Sequence, residues 1–183
     1  EGVIGRPMFI ETHRLHPFFE RGTDVDVVLD LMVHDLDIIM NFVRSPLQRV
    51  EAVGIPVLSE KVDIANARIV FENGCVANIT ASRVTGKTMQ KIRFFGPEGY
   101  HSVDYAKREL VSLGRKKKDN GETEIVDNRV EVRPQDPLEE EIRSFLEAAA
   151  NGREPKVSGR EARKSLSLAL AILQAMKTQE ALP

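Results

Sequence analysis

The sequence predicts an α+β domain: an open-faced, mostly antiparallel sheet of about six strands, with helices packed on one face. Two observations support this class. The elements follow one another as a strand, a long helix, a run of strands and two closing helices. Asn73-Gly74 lies between two strand-like segments and is a strong signal for a two-residue hairpin. This order argues against a doubly wound sheet, in which strands and helices alternate.

The first two elements are a strand and a helix. Pro7 to Leu15 is rich in β-favouring residues and predicts the strand. Thr23 can act as N-cap with Asp26 at the third helical position, as in a capping box. The helix is therefore expected from about Asp24 to Arg44, because the residue before a proline, here Pro46, avoids the helical conformation.

The middle of the chain changes to a period of two, which is typical of strands. Three segments show this period most clearly: Gln48 to Leu58, Asp63 to Glu72 and Cys75 to Val84. Further strands are predicted at Thr88 to Phe95, Gly99 to Tyr105 and Arg108 to Leu113, with a weaker signal at Asn128 to Arg133.

Two helices close the chain. The first is predicted from Pro137 to Asn151, with Asp136 as N-cap and the proline at the first helical position. Ser158 caps the second helix, which is expected to run to about Thr178. Its apolar residues are expected on or near the buried side: Leu166, Leu168, Leu170, Ile172 and Leu173.

The composition describes one ordinary globular domain. The 183 residues are 42% hydrophobic and 30% charged, and the net charge of -2 gives no reason to expect nucleic acid or a membrane surface as partner. No apolar stretch approaches the roughly 18 to 20 residues that span a bilayer. The basic run Arg115 to Lys118 is expected at a solvated hairpin tip. The single cysteine, Cys75, excludes an internal disulfide and fits a reducing cytoplasm.

Five polar residues form a polar stripe along the first helix, which is otherwise apolar nearly all round. They recur at spacings of 4, 4, 3 and 4: Asp26, Asp30, His34, Asp37 and Asn41. Asp30 and His34 are the candidate catalytic pair, because a carboxylate four residues before an imidazole can hydrogen-bond it and leave the second ring nitrogen for a ligand hydroxyl. Such a pair facing a cleft can abstract a proton from an alcohol.

Other interpretations of this pair remain open. An aspartate and a histidine four residues apart often form only a surface pair or a satisfied polar group in the core. No metal site is predicted, because the histidines lack a ligand spacing and have no cysteine partner: His13, His16, His34 and His101. The chain also has no glycine-rich phosphate loop, so by itself it shows no nucleotide site.

The chain resembles the glucose-fructose oxidoreductase, inositol dehydrogenase and rhizopine-catabolism (Gfo/Idh/MocA) family of NAD(P)-dependent oxidoreductases. The most specific match is Val28 to Asp37, which contains the motif Asp-x3-His-x2-Asp. Other matching segments follow in the family's order: Gly2-Val3-Ile4-Gly5, Phe94 to Gly99, Val103-Asp104-Tyr105, Pro137 to Phe145 and the helix from Ser158. The match covers essentially the whole chain, 1–183, but only the C-terminal domain of such enzymes.

This resemblance implies a sugar dehydrogenase in which a separate N-terminal Rossmann domain binds NAD or NADP and supplies a lysine. It assigns His34 to proton exchange with the hydroxyl being oxidised, and Asp30 to orienting His34. The chain alone is then expected to be inactive, because hydride transfer needs the cofactor held against the substrate. Members of the family commonly associate through the open sheet face, so a homodimer or homotetramer is expected.

One departure from the family pattern bears on the substrate. Many members have Gly-Gly-Gly-x-Leu-x-Asp where this chain has Asp24 to Asp30. The variant is similar to members that oxidise the 3-hydroxyl of UDP-N-acetylglucosamine, so a sugar or nucleotide sugar is the expected substrate. Arg14 and Asp26 are the candidate substrate contacts, since an arginine can pair with a hydroxyl or a phosphate. Arg83 and Lys87 are alternatives to Arg14.

The alternative function is an assembly or ligand-binding module without chemistry. The strand from Asp63 to Glu72 has one wholly apolar face, expected to pack on the helices: Ala65, Ala67, Ile69 and Phe71. Its other face is mixed and fits either water or a partner sheet: Ile64, Asn66, Arg68 and Val70.

Overall fold

The computed structural model describes residues 5–20, 22–118, 121–131 and 136–180, which form eight strands, a π-helical turn and three α-helices. The strands are β1 (Phe9–Leu15), β2 (Leu47–Ile55), β3 (Ile64–Phe71), β4 (Val76–Ser82), β5 (Met89–Gly96), β6 (Gly99–Asp104), β7 (Glu109–Lys117) and β8 (Thr123–Glu131). The helical elements are the π turn (Val28–Met32), α1 (Val33–Val43), α2 (Pro137–Ala150) and α3 (Gly159–Glu180).

The strands of the described chain form one mixed sheet in the order β2-β3-β4-β1-β5-β6-β7-β8. β1 pairs in parallel with β4, and the other neighbouring strands are antiparallel. The α+β class is confirmed, but the prediction of about six antiparallel strands was wrong in size and in pairing. The reason is that β1, the first strand of the chain, inserts between β4 and β5, and local sequence patterns do not reveal which strands become neighbours.

The predicted hairpin is present at Asn73-Gly74, between β3 and β4. Its connection is longer than two residues, because Glu72 to Cys75 all lie outside the strands. Gly74 takes a φ of 84°, a conformation that costs glycine little. The side chain of Asn73 accepts a hydrogen bond from the backbone N–H of Cys75 at 3.0 Å, which stabilises the turn.

The core lies between one face of the sheet and the helices α1 and α3. The four apolar side chains predicted on the inner face of β3 are all fully buried, and Asn66 and Arg68 on its outer face are exposed. Burial of each large side chain in this layer contributes about 1.5 to 3 kcal/mol. The helices contribute fully or almost fully buried residues to it: Leu36, Ile39, Leu168, Ala169 and Ile172.

The start of the first helix differs from the prediction. Residues 22–25 form a turn, and the π turn begins only at Val28. The hydroxyl of Thr23 donates to the carbonyl of Glu20 and does not cap the helix. Asp26 is engaged elsewhere, since its carboxylate accepts a hydrogen bond from the backbone N–H of Val62 at 2.9 Å. This tertiary contact holds the segment in a non-helical conformation and delays the helix.

The two closing helices pack differently from each other. α2 begins as predicted, with the Asp136 carboxylate accepting from the backbone N–H of Leu138, but none of its residues is buried. In α3 the helical period puts Leu168 and Ile172 inside, whereas Leu166 and Leu170, also expected near the buried side, are about half exposed. None of the helices in the described residues is long and apolar enough to cross a membrane.

Candidate functional site

A cavity of about 1390 Å³ opens between α1, α2 and the ends of β1, β5, β6 and β7. The cavity is an open groove, since the apolar α2 side chains that line it are more than half exposed, and it is wide enough to admit a small-molecule ligand. Two groups of side chains line it. The first is polar and includes Arg14, His34, Asp37, Gln90 and Tyr105. The second is the apolar side of α2: Leu138, Ile142, Phe145 and Leu146.

His34 lies on the wall of this cavity, where sequence reasoning expected a proton acceptor. Its side chain is exposed and makes no hydrogen bond with any described residue. Both ring nitrogens are therefore available to a ligand. An imidazole with this access is placed to hydrogen-bond a bound hydroxyl.

Asp30 is half-buried and does not hydrogen-bond His34 in the described chain. Its carboxylate instead faces Gly22, where an added β-carbon would lie 3.6 Å from Oδ2. The expected Asp30–His34 pair is thus not formed. Asp30 belongs to the π turn at Val28–Met32, where the regular α-helical geometry that the spacing argument assumes is not kept, and its carboxylate is directed towards Gly22.

Asp26 does not line the cavity. Its carboxylate accepts from Val62, and its backbone carbonyl accepts from the N–H groups of Leu29 and Asp30 at 2.9 and 3.1 Å. Asp26 therefore ties the approach to the π turn to the loop before β3, and this geometry does not favour a substrate contact. Two further members of the polar stripe also bond within the protein: Asp37 accepts from Ser165 of α3 at 2.8 Å, and Asn41 donates to the carbonyl of Asp37.

Arg14 does lie on the cavity wall, and an acid that sequence reasoning overlooked holds it there. Asp35 is 3% exposed, and its two carboxylate oxygens accept from Nε and one terminal nitrogen of Arg14 at 3.2 and 2.8 Å. The second terminal nitrogen of Arg14 makes no hydrogen bond to a described residue. A signal for Asp35 existed, because a charged residue among the apolar residues of a buried helix needs a partner.

Gln90 and Tyr105 complete the polar wall, and no sequence pattern had singled them out as site residues. They are neighbours, since the Tyr105 N–H donates to the Gln90 carbonyl at 2.8 Å. Partial burial raises the pKa of the Tyr105 phenol, the charge of Asp35 raises it further, and Arg14 opposes this. The phenol is therefore neutral near pH 7 and can donate a hydrogen bond to a ligand.

Arg83, considered above as an alternative to Arg14, is only 1% exposed and is not among the cavity-lining residues. Lys87 lies in the exposed loop between β4 and β5. Within the described ranges, no group of three or more His, Cys, Asp or Glu side chains is placed to hold a metal ion.

The Arg14–Asp35 ion pair gives a prediction for the pKa of Tyr105. Asp35→Asn is expected to lower the pKa of the phenol, because the negative charge that opposes phenolate formation is removed. Phenolate absorbance between about pH 8 and pH 12 would be followed in a Tyr100→Phe background, where Tyr105 is the remaining tyrosine. Glu161→Gln on α3 serves as the matched control. An unchanged or higher Tyr105 pKa in Asp35→Asn would show that Asp35 does not act on this wall.

Comparison with known proteins places this chain in a family. Residues 1–102 match the model of the GFO/IDH/MocA C-terminal domain. UDP-N-acetylglucosamine 3-dehydrogenase of Acidithiobacillus ferrooxidans is 35% identical over 95% of this chain, which spans 56% of that protein. The solved structure of the same enzyme superposes with a TM-score of 0.86 at 34% identity, covering 96% of this chain and 55% of the other.

A more distant structure shows the same fold. Levoglucosan dehydrogenase in complex with NADH and L-sorbose superposes with a TM-score of 0.81 at 16% identity, over 97% of this chain and 58% of the other. The chain thus spans somewhat more than half the length of the relatives it matches. The family model and the relative from Acidithiobacillus ferrooxidans together show that the chain belongs to the Gfo/Idh/MocA family of oxidoreductases, in the part that forms the C-terminal domain.

Proposed function

We propose that this chain is the substrate-binding C-terminal domain of an NAD(P)-dependent oxidoreductase that oxidises a hydroxyl of a sugar or nucleotide sugar. The observation that carries the proposal is the unpartnered imidazole of His34 on the wall of a large cavity. The relative that is 35% identical over almost the whole chain acts, by its name, on UDP-N-acetylglucosamine. The proposed substrate is therefore UDP-N-acetylglucosamine, and the reacting group its 3-hydroxyl.

In this proposal His34 removes the proton from the substrate hydroxyl while the hydrogen on the same carbon leaves as hydride. A bound nicotinamide supplies the hydride acceptor. His34 fits the proton step because it lines the cavity and no described residue hydrogen-bonds its ring nitrogens. Asp30 orients the ring only after its side chain turns towards His34. Catalytic hydrogen bonds are often long or unformed before the substrate binds, so the observed separation is compatible with this role.

Arg14, Gln90 and Tyr105 are the proposed contacts for the sugar ring. Asp35 neutralises Arg14 and fixes its orientation, so the remaining N–H groups of Arg14 act as directed donors with little net charge. Such donors fit neutral hydroxyl and carbonyl oxygens better than a phosphate. Arg108 and Lys156 also line the cavity and are the cations available to the diphosphate of a nucleotide sugar.

The cofactor, NAD or NADP, is proposed to be held mainly by a separate N-terminal Rossmann domain. The sequence of this chain contains no glycine-rich loop that would bind the phosphates of a dinucleotide. The cavity beside His34 does have the volume to admit a nicotinamide ring together with a sugar. The isolated domain is then inactive, and a reducing cytoplasm, which fits the single buried Cys75, is the proposed location.

Turnover tests the proposed activity. The chain, together with the cofactor domain that the proposal requires, is expected to reduce the nicotinamide with UDP-N-acetylglucosamine, or with another member of a panel of nucleotide sugars, inositol and free hexoses. His34→Ala should lower kcat at least about 100-fold, the usual contribution of a positioned general base, with cofactor affinity nearly unchanged. Asn41→Ala, on the same helix but away from the cavity, is the control. Unchanged turnover in His34→Ala would contradict the assignment.

The outer face of the sheet supports a second, compatible role in self-association, as a homodimer or homotetramer. Phe95 stacks between Phe9 and Tyr100 on this face, with ring centroids 5.5 and 5.1 Å apart. Nδ1 of His13 on the same face is buried and has no hydrogen-bond partner in the described residues. An aromatic cluster beside an unsatisfied polar atom fits a surface that a second sheet covers.

Sedimentation tests the assembly. The chain is expected to sediment as a dimer or larger at micromolar concentration, and Arg68→Glu on the outer face of β3 should shift it towards the monomer, because a reversed charge must be buried against the partner. Arg163→Glu on the exposed side of α3 should have no effect. A monomer in the unaltered chain would rule out association through this face.

A further inference from the structure

A fully buried ion pair lies at one end of the sheet, away from the cavity lining. Nε of Arg83, the residue after β4, donates to Oδ1 of Asp63, just before β3, at 2.7 Å. Arg83 is 1% exposed and Asp63 is not exposed at all. Burying two opposite charges is costly unless further hydrogen bonds satisfy both groups.

Asp63 meets that condition by organising the loop between β2 and β3. Its Oδ2 accepts from the backbone N–H groups of Val57, Leu58 and Ser59 at 2.6 to 2.8 Å, and its Oδ1 accepts from the Ser59 hydroxyl at 2.7 Å. Burial by itself would raise the pKa of Asp63. The hydrogen bonds from Ser59, from Arg83 and from the backbone outweigh it and hold the pKa well below its usual range. The carboxylate is therefore charged and fixed.

Arg83 meets the condition by reaching across to the segment that precedes the π turn. One terminal nitrogen donates to the carbonyls of Gly22 and Val25 at 2.7 and 3.0 Å. The other lies 3.2 Å from the Ser59 hydroxyl and 3.5 Å from the carbonyl of Val62. The guanidinium thus joins three segments through donors on three separate nitrogens, whereas the three N–H donors of a lysine all radiate from one nitrogen and cannot span the same acceptors.

The segment that Arg83 holds lies against Asp30, the residue proposed to orient His34. Gly22 has a φ of 81°, and its Cα faces the carboxylate of Asp30, with 3.6 Å between Oδ2 and the position of an added β-carbon. Two hydrogen bonds of Val62 hold the same segment. Its carbonyl accepts from the backbone N–H of Val27, and its backbone N–H donates to the Asp26 carboxylate, both at 2.9 Å. The start of the π turn is therefore anchored to the Asp63 loop at several points.

We propose that Arg83, held by Asp63, is a positioning residue for the candidate site: it fixes Gly22 to Val25 and, through them, the π turn that carries Asp30. The inference depends on the proposed function only for its effect on turnover. Its structural content concerns this chain alone.

Hydrogen exchange of the chain tests directly whether Arg83 fixes residues 22–25 and the π turn. Arg83→Lys keeps the positive charge but loses the guanidinium group and its hydrogen bonds to several segments. The backbone amides of residues 22–34 are therefore expected to exchange at least about tenfold faster, while those of β5 and β6 are unchanged. Arg93→Lys, which alters the ion pair with Glu11 on the outer face, is the matched control and should leave residues 22–34 unchanged.

Should Arg83→Lys fail to fold, Ser59→Ala tests the same Arg83–Asp63 interaction with a smaller change to the protein. It removes only the hydroxyl that contacts both Asp63 and Arg83, and faster exchange in residues 22–34 is again expected. Unchanged exchange there in a folded variant would overturn the proposal.

A second experiment measures kcat and KM of the protein that includes the proposed cofactor domain. Arg83→Lys is expected to lower kcat about tenfold with KM within about twofold, because a loosened π turn leaves Asp30 less often where its side chain can turn towards His34, which weakens the proton step more than sugar binding. A purely structural role would reduce the folded fraction and leave both constants of the folded enzyme unchanged, and that result would overturn the positioning role. Faster exchange of residues 22–34 in Arg83→Lys, with no turnover even in the unaltered protein, would support the positioning of this segment by Arg83 and contradict the proposed function.

Discussion

The parallel pairing of β1 with β4 is the constraint on which the geometry of the site depends. It aligns Leu15 with Ser82, so that the carboxyl ends of both strands meet at one end of the sheet. Arg14 and Arg83 are consequently brought to the same region, one at the end of each strand. Each cation is paired with an acid from a different element, Asp35 of α1 and Asp63 before β3. These two pairs fix the first helix and its approach relative to the sheet.

The remaining packing follows from this placement. With the π turn and α1 held across the sheet, the apolar faces of β3 and β4 are covered by α1 and α3, and His34 is left on the opposite side of the helix from buried Leu36 and Ile39. A histidine in that position faces a cavity and not the core. The cost of burying Arg83 and Asp63 is offset by hydrogen bonds that also order two loops, so the same interactions serve both stability and the site.

Much of the fold could be predicted from the sequence, because its signals are local. Alternation located the strands and the inner face of β3, Asn73-Gly74 located a hairpin, and Asp136 with Pro137 located the start of α2. The order of the strands could not be predicted, since it depends on contacts between distant segments. The helix start was misplaced for a similar reason: Asp26 has the composition of a capping box, but a backbone group 36 residues away takes its carboxylate.

The candidate site also combines residues that local sequence signals predict with residues that only distant contacts bring together. His34 was marked as a candidate because it interrupts an apolar helix, and it does line the cavity, whereas the role in proton exchange that the family motif implies stays a proposal. The pairing with Asp30 could not be tested on spacing alone, because the spacing rule assumes an α-helix and the chain forms a π turn there. Gln90 belongs to no motif, and Tyr105, although it is part of the family-like segment Val103-Asp104-Tyr105, was not marked as a site residue. Both reach the cavity only through the pairing of β5 with β6 and the turn that follows β6.

The proposed role of His34 is tested most directly by a crystal structure of the chain joined to the proposed cofactor domain, with NAD and UDP-N-acetylglucosamine bound. We expect the oxygen of the sugar's 3-hydroxyl to lie within hydrogen-bond distance, about 2.6 to 3.2 Å, of a ring nitrogen of His34, and Arg14 or Tyr105 to contact the sugar. A sugar bound elsewhere, with His34 facing solvent, would show that His34 does not take the proton.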